Sequence, residues 1–346
     1  MSVGQVGQTR RAMTLAIQRF DRSVPLLDRT VPMPNIMAIF VPPGGPGVVG
    51  VLQGLFDAAE IPMARLAFVR DRGEPVVGVP VFPDRLFVHQ YVYTRTDTGI
   101  ESPADLRGRR VMVPGYFITA AFWHRALLKE GYGILPSEIE WYTTIPEMDE
   151  RMAFPDGVSV RLVPSPYLGM ERLLDGTVDC LMTEATLPLP AGERSRIKRV
   201  YHDAHALQRD FYRRTGFHPI VHAIVVRKEA LAAWPEFGVE LCRAYDLAKA
   251  QVYQGLQNER MTSLPLMSAY LDETLELFGD DPWPYGLDRN RAEIDKFLEY
   301  AHADGFTRRR LAPEELFDAR SLGYGFTARM AAGSEPWGGA LPGAVV

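Results

Sequence analysis

Hydrophobic and polar residues alternate along a short segment at residues 13–20, in the manner of a β-strand. Residues 221–226 form a continuous β-branched run that is also typical of a strand. Farther along, the spacing of apolar residues changes and predicts helices over residues 237–253, 263–277 and 289–303. The mixture of strands and helices predicts an α/β fold.

A short arrangement of residues occurs twice in the chain. Residues 48–60 and residues 168–184 each read as a helix, a glycine turn and a short strand followed by an acidic residue, Glu60 or Glu184. Ligands of open α/β sheets bind beyond the carboxyl ends of the strands. The repeat therefore predicts two lobes of similar build, with Glu60 and Glu184 as candidate catalytic residues.

The stretch with the densest candidate chemistry is residues 80–95, PVFPDRLFVHQYVYTR. Its aromatic and β-branched residues predict a strand, which would place Arg85, His89 and Tyr91 on one face. An Arg beside a His can hold an anion and move a proton next to it. A histidine that merely bonds a backbone carbonyl in an ordinary strand fits the same pattern.

Residues 215–227 form a second extended run, and it contains His218 and His222. Like residues 88–95, this run lies between helical regions. We therefore predict that the two runs are paired strands that cross between the lobes.

A third candidate feature is the sequence that follows residues 109–114. This apolar strand leads through Gly115 into a helix over residues 120–130. The unpaired backbone N–H groups at a helix start favour an anion, so the amides from Tyr116 to Thr119 form a candidate anion site.

Composition narrows the function classes. The chain has 346 residues, enough for two lobes, and a net charge of −5, which argues against nucleic acid as a partner. Apolar runs are too short for a membrane span. The beginning of the sequence lacks a secretory pattern, and Cys180 and Cys242 are the only cysteines. We expect a cytoplasmic location.

Several segments together resemble 4,5-dihydroxyphthalate decarboxylases. The most specific are YRRTGFHPIVHAIVVR (212–227) and DDPWPYGLDRNR (280–291), and FDAAE (56–60), PVFPDRLFVHQYVYTR (80–95) and LLDGTVDCLMT (173–183) support them. The segment SPADLRGRRV is shared more widely by proteins with the type II periplasmic-binding-protein fold. The resemblance implies non-oxidative removal of one carboxylate from a dihydroxylated aromatic diacid.

The fold implied by the resemblance has two Rossmann-like lobes joined by two crossing strands, with the ligand in the cleft between them. We place lobe I at residues 1–92 and 224–330, lobe II at residues 93–223, and a flexible tail at residues 331–346. The resemblance also implies a homo-oligomer.

With the resemblance included, we assign roles to the candidate residues. His89 and His222 are the acid/base pair, Glu60 or Glu184 orients a histidine or accepts the phenol proton, and Arg85 clamps the retained carboxylate. The remaining candidate substrate-binding residues are Gln90, Tyr116, Thr119, His218, Trp283 and Tyr285. No cofactor is expected, although His89 and His222 with a carboxylate could hold a divalent metal.

Two alternatives stay open at this point. Val88 and Gln90 stand where the family pattern carries Arg and Ser, and this departure favours another enzyme of the same fold with a different small aromatic acid. A protein that binds an aromatic carboxylate without chemistry is the other alternative, and it predicts an export signal.

Overall fold

The computed structural model of the protein describes residues 11–147, 149–165, 169–258, 260 and 262–330. The predicted tail at residues 331–346 lies outside this part of the chain. Within it the strands are β1 (Met13–Ile17), β2 (Ile36–Phe40), β3 (Ala58–Pro62), β4 (Val76–Arg85), β5 (Val92–Arg95), β6 (Arg110–Val113), β7 (Glu140–Thr143), β8 (Ser159–Leu162), β9 (Cys180–Met182), β10 (Ile197–Arg199) and β11 (Ile220–Arg227).

The helices include the three that apolar spacing predicts near the end of the chain. In order they are α1 (Val24–Leu27), α2 (Gly47–Leu52), α3 (Met63–Asp71), α4 (Thr119–Tyr132), α5 (Met170–Leu174), α6 (Ala204–Thr215), α7 (Lys228–Ala233), α8 (Phe237–Leu256), α9 (Met267–Phe278) and α10 (Leu287–Ala303). None of the helices in the described ranges is both long enough and apolar enough to cross a bilayer.

The strands form two mixed sheets, which confirms the predicted α/β class. The first sheet has the order β2-β1-β3-β11-β4, with β1 parallel to β2 and β3 and with β11 antiparallel to β3 and β4. The second sheet has the order β10-β5-β9-β6-β7-β8. In each sheet one strand, β11 in the first and β5 in the second, runs antiparallel to both of its neighbours.

Helices α3 and α4 join the two sheets through one apolar core. Phe306, just after α10, packs its ring 5.2 Å from Phe68 of α3 and 5.2 Å from Phe122 of α4. At the starts of the same helices, the Ala64 N–H donates to Thr119 Oγ1 at 3.1 Å. The ends of α3 and α4 that face the strand termini are therefore held in fixed positions.

The prediction of one strand through residues 80–95 is wrong. β4 ends at Arg85, a 3₁₀ turn covers Val88–Tyr91, and β5 begins at Val92 in the other sheet. The chain passes from the first sheet to the second between β4 and β5, so one continuous strand cannot cover the whole segment.

The predicted pairing of residues 88–95 with 215–227 is also wrong. β11 pairs with β3 and β4, whereas β5 pairs with β9 and β10. The two crossing segments, which follow β4 and precede β11, contact each other where the Leu86 N–H donates to the Pro219 carbonyl at 2.8 Å. The division into lobes at residues 92/93 and 223/224 stays a prediction.

Candidate active site

The centre of the candidate site is a hydrogen bond between His222 and Glu60. Glu60 lies on β3 and His222 on β11, and the antiparallel register sets His222 opposite Pro62 and Ile224 opposite Glu60. The pair spans 2.6 Å from His222 Nδ1 to Glu60 Oε1. Because a carboxylate can only accept, Nδ1 carries the proton of this bond.

The Glu60 carboxylate is fixed on both oxygens. Its Oε2 accepts the backbone N–H of Gln18, the residue that follows β1, at 3.1 Å, and the side chain is only 1% exposed. The His222 side chain keeps 14% of its surface accessible, and Nε2 has no hydrogen-bond partner among the described residues. Glu60 therefore orients the ring, and Nε2 is the nitrogen available to a ligand.

Two more carboxyl groups surround the pair, one from each sheet. Asp84 lies opposite His222 in the register of β4 and β11, with Oδ2 3.9 Å from Nδ1. Glu184 follows β9 and is close enough for its charge to act on His222 and Asp84. Desolvation raises the pKa of Asp84, which is half-buried, and of Glu184, which keeps solvent-exposed surface, and the cation of His222 only partly opposes this shift.

His222 is held as an imidazolium. Desolvation by itself would lower its pKa, but the hydrogen bond to Glu60 and the negative charges of Glu60, Asp84 and Glu184 outweigh it and raise the pKa to about 9. Near neutral pH the site therefore holds a protonated ring, with the Asp84 and Glu184 carboxyl groups near enough for their charges to act on it.

The raised pKa of His222 predicts how stability depends on pH. A histidine with a pKa near 6.5 in the unfolded chain and about 9 in the folded protein stabilises the fold fully below pH 6.5, and this contribution is lost as pH rises through 9. We expect the free energy of unfolding of the wild type to exceed that of His222→Gln at pH 6 by more than it does at pH 9.5. Urea denaturation of both proteins across this range measures the difference, and a constant gap would contradict the assignment.

Tyr91 lies near Asp84, and two further polar residues, Gln90 and Arg199, lie near Tyr91. The 3₁₀ turn at Val88–Tyr91 brings Tyr91 close enough to Asp84 for their charges to interact, and the Gln90 side chain contacts the Tyr91 hydroxyl. Burial raises the Tyr91 pKa, and the charge of Arg199, at the end of β10, opposes that rise. The Arg199 side chain has no hydrogen bond or ion pair within the described ranges, and the residue is exposed.

Comparison with known proteins places the chain in a family. It is 31% identical over 320 residues to a 4,5-dihydroxyphthalate decarboxylase of Comamonas testosteroni, covering 90% of this chain and 97% of the relative. The chain belongs to the 4,5-dihydroxyphthalate decarboxylase family. A second decarboxylase of that name, from Pseudomonas putida, is 27% identical over 213 residues, covering 59% of this chain and 83% of that relative.

The fold of this family member is that of type II periplasmic binding proteins, as the resemblance implies. The aliphatic sulphonate binding protein SsuA of Escherichia coli superposes with a TM-score of 0.55 at 13% identity, over 89% of this chain and 97% of its own. The desulfurization enzyme DSZB superposes with a TM-score of 0.50 at 16% identity, over 90% and 97%. A family model described as "NMT1/THI5 like" matches residues 43–151. Because the fold includes both a binding protein and an enzyme, it does not decide between these classes.

Arg85, which the sequence assigns to the retained carboxylate, is buried and binds other groups of the protein in this family member. Its side chain is 1% exposed, and Nη1 donates to the His218 carbonyl at 2.7 Å and to Glu293 at 3.4 Å. Nη2 donates to the Pro284 carbonyl at 2.7 Å and to Asn290. A guanidinium that is buried among four protein acceptors is not free to clamp a substrate, so we correct the assignment.

His89 lies apart from His222 because the 3₁₀ turn directs it into an aromatic pocket. Its ring meets Tyr201 and Phe211 edge-on at 5.5 Å, and burial lowers its pKa to about 4. The charge that acts on His89 is that of Arg214 and not that of the Glu60–His222 cluster. His89 and His222 therefore neither share a proton nor ligate one metal ion. Across the described ranges, no group of three or more His, Cys, Asp or Glu side chains is arranged to hold a metal.

The predicted anion site at the start of α4 binds a carboxylate of the protein itself. The Tyr116 N–H donates to Glu147 Oε1 at 2.7 Å, and the Phe117 N–H donates to Oε2 at 3.4 Å. Tyr116 is buried beneath the Arg125 guanidinium, 4.0 Å from the ring centroid, and Thr119 already accepts the Ala64 N–H. The amides have the predicted preference for an anion, but the chain satisfies it internally.

The aromatic residues assigned to cover the substrate contact other groups of the protein. Tyr285 is fully buried, and the Trp283 indole N–H donates to the Phe82 carbonyl at 2.8 Å. The His218 ring stacks on Phe87 with centroids 4.6 Å apart, and burial lowers its pKa well below the usual value. The assignment of Tyr285 to substrate contact is therefore corrected to a packing role, whereas that of His218, which is only half-buried, stays a prediction.

Sequence reasoning missed Asp84, Gln18 and Arg199. A usable signal existed for Gln18, since it directly follows the first predicted strand, where ligands of α/β folds bind. Asp84 stood next to the more conspicuous Arg85. Nothing local in the sequence marks Arg199.

Proposed function

We propose that the protein is a carboxy-lyase that removes one carboxylate from a dihydroxylated aromatic diacid, 4,5-dihydroxyphthalate or a close analogue, and gives protocatechuate or its counterpart. The names of the relatives support decarboxylation of this substrate. The observation that carries the proposal is the His222 imidazolium, held by Glu60 at 2.6 Å and without a partner on Nε2 among the described residues.

The chemistry requires a place for the electrons of the C–CO2 bond. In 4,5-dihydroxyphthalate each carboxylated ring carbon is para to a hydroxyl group. Protonation of that carbon, with loss of the phenol proton, gives a dienone. The C–CO2 bond then breaks, its electron pair restores the aromatic ring, and the oxygen takes back a proton. The net change is exchange of a carboxylate for a proton, so no oxidant or reductant is consumed.

His222 supplies the proton to the ring carbon in this proposal. Its Nε2–H is the one ring donor not engaged by the protein, and its pKa of about 9 keeps it loaded at neutral pH. Glu60 compensates the charge and fixes the tautomer through Nδ1. A positioned acid of this kind contributes roughly 10²–10⁴-fold to rate.

Asp84 and Glu184 exchange the phenol proton. Desolvation raises the pKa of both, which makes each a stronger base than an ordinary carboxylate once it is ionised. The charges of both act on His222, so both are candidates to exchange a proton with a ring bound beside it.

Arg199 holds the carboxylate that stays on the ring. It takes the role that the sequence gave to Arg85, because its guanidinium is unpaired in the described part of the chain and lies near Tyr91. An Arg binds a carboxylate with two parallel charge-assisted hydrogen bonds.

We further propose that the enzyme acts in the cytoplasm as a homo-oligomer and needs no metal or organic cofactor. The protein groups named above supply the acid, the base and the cation. Native mass and the effect of a chelator on rate test these points.

Glu60→Gln is expected to lower kcat by about 10- to 100-fold, the loss that corresponds to one charge-assisted hydrogen bond of ~1.5–3 kcal/mol. An amide can still orient the ring, but it no longer stabilises the imidazolium, so the alkaline limb of the pH–rate profile moves to lower pH. Steady-state rates between pH 6 and 10 measure both effects. An unchanged limb would mean that Glu60 does not tune His222.

The experiment that tests the proposed function is incubation of the purified protein with 4,5-dihydroxyphthalate, with and without chelator. Chromatography follows protocatechuate, and CO2 release is measured in parallel. Equal formation of both products supports the proposal, and full activity in chelator supports a reaction without metal. A thermal shift without product would favour a binding protein, and neither signal would favour an enzyme for another aromatic acid.

A further inference from the structure

A second cavity lies between α8, α9 and the loop at residues 282–283. Its volume is about 350 Å³, and its wall is mostly apolar, with rings and aliphatic side chains from Phe87, Tyr253, Leu271, Phe278 and Trp283. Glu60, Asp84, Glu184 and His222 do not line it. The volume lies at the low end of the roughly 300–1,000 Å³ typical of small-molecule sites.

One end of this cavity holds the guanidinium of Arg22. The Arg22 guanidinium lies 3.7 Å above the Trp283 ring, Nη1 pairs with Asp21 at 2.8 Å, and Nε donates to the Pro83 carbonyl. Its Nη2 has no hydrogen-bond partner among the described residues, and 12% of the side chain is accessible. The same guanidinium thus has a donor left for a ligand.

A second group of charges lies beside the cavity. Lys249 lines the cavity and pairs with Asp281 at 2.9 Å, and Arg289 and Arg329 contact the same carboxylate at 2.8 and 3.3 Å. Asp280 lies 3.8 Å from Arg329, and the negative charge of Asp246 also acts on Lys249. Three cations therefore face three acids and this group is close to neutral, so the donor that remains for an anionic occupant is Arg22 Nη2.

The helix that closes the cavity leaves apolar surface uncovered. None of the residues of α9 is buried, and Tyr270, which lines the cavity, is 57% exposed. An occupant that displaces water from these apolar side chains therefore binds with a favourable free energy.

We propose that this cavity is a second ligand site and that it binds a compact aromatic monocarboxylate, with the carboxylate on Arg22 and the ring among Phe87, Phe278 and Trp283. The aromatic wall favours a flat ring over an aliphatic chain of equal size. None of the residues assigned to the proposed decarboxylation lines this cavity, although the charge of Arg22 also acts on Asp84. The cavity is lined by Phe87 and His218, which lie in the two crossing segments next to the catalytic cluster.

Calorimetric titration with benzoate tests the proposal on a matched pair of variants of the full chain. Leu271→Trp fills the cavity, whereas Asp272→Trp adds the same ring to the exposed side of α9. We expect benzoate to bind the wild type and Asp272→Trp alike, and Leu271→Trp to lose at least tenfold in affinity. Benzamide, which has the same shape without the charge, is expected to bind the wild type at least tenfold more weakly than benzoate.

If Leu271→Trp does not fold, as judged by circular dichroism, Thr274→Phe fills the cavity from the same helix, and Glu276→Phe is its exposed control. Equal benzoate affinity in the filled and control variants would place benzoate elsewhere, in the catalytic cleft, and overturn the proposal. No benzoate binding by the wild type would overturn it as well. Both outcomes are separate from failure of decarboxylation, which is measured as product formed.

Discussion

His222→Gln is expected to lower turnover of 4,5-dihydroxyphthalate by about 10²–10⁴-fold, the share of rate that a positioned acid contributes. Glutamine keeps a polar group of similar size beside Glu60, but it has no dissociable proton to deliver to the ring carbon. Substrate affinity is expected to change by only a few-fold, because Arg199 and the cleft remain. Steady-state kinetics gives the loss in kcat, and calorimetry with the variant gives the affinity.

His89→Phe is the matched control for this substitution. The ring of His89 is buried against Tyr201 and Phe211, so a phenyl ring suits its surroundings and removes no group that touches the cluster. Activity is expected within a few-fold of the wild type. If His89→Phe loses activity and His222→Gln keeps it, the assignment of the acid to His222 is wrong.

Arg85→Ala is expected to destabilise the fold by about 3–5 kcal/mol, as the loss of one partner from a buried ion pair does. Glu293 would remain buried with its Oε1 on the Ile220 N–H at 2.5 Å and without its cation. Burial has already raised the Glu293 pKa to about 7 against the pull of Arg85. Urea denaturation measures the change in the free energy of unfolding.

The double variant Arg85→Ala with Glu293→Gln is the control for this second prediction. Removing the orphaned carboxyl charge is expected to recover part of the lost stability. The contrary result is an Arg85→Ala protein of wild-type stability whose KM for the diacid is raised, which would return Arg85 to the role of substrate clamp.

The sequence predicts the α/β class and most elements because apolar spacing and the turn residues act locally. The strand at residues 13–17, the helix over residues 237–256 and the strand at residues 220–227 all follow from such patterns. The repeat that singled out Glu60 and Glu184 also has a physical basis, since both acids are close enough to His222 for their charges to act on it.

The arrangement of the site could not be predicted in the same way, because it depends on which strands become neighbours. His89 and His222 look alike in sequence, yet only His222 is on a strand between β3 and β4 and so meets Glu60 and Asp84. Arg85 and Arg199 look alike too, and what separates them is Glu293, more than 200 positions away along the chain from Arg85. Such long-range partners leave no periodic trace in the local sequence.

The proposed reaction transfers a proton to the ring carbon that loses its carboxylate. Turnover of 4,5-dihydroxyphthalate by the wild-type protein in D2O, followed by proton and carbon NMR, tests this step. Protocatechuate is expected with one deuterium on the ring carbon that lost its carboxylate, formed together with CO2. Unchanged diacid under conditions in which the protein is seen to bind it would rule out this reaction and identify the protein as a binding protein.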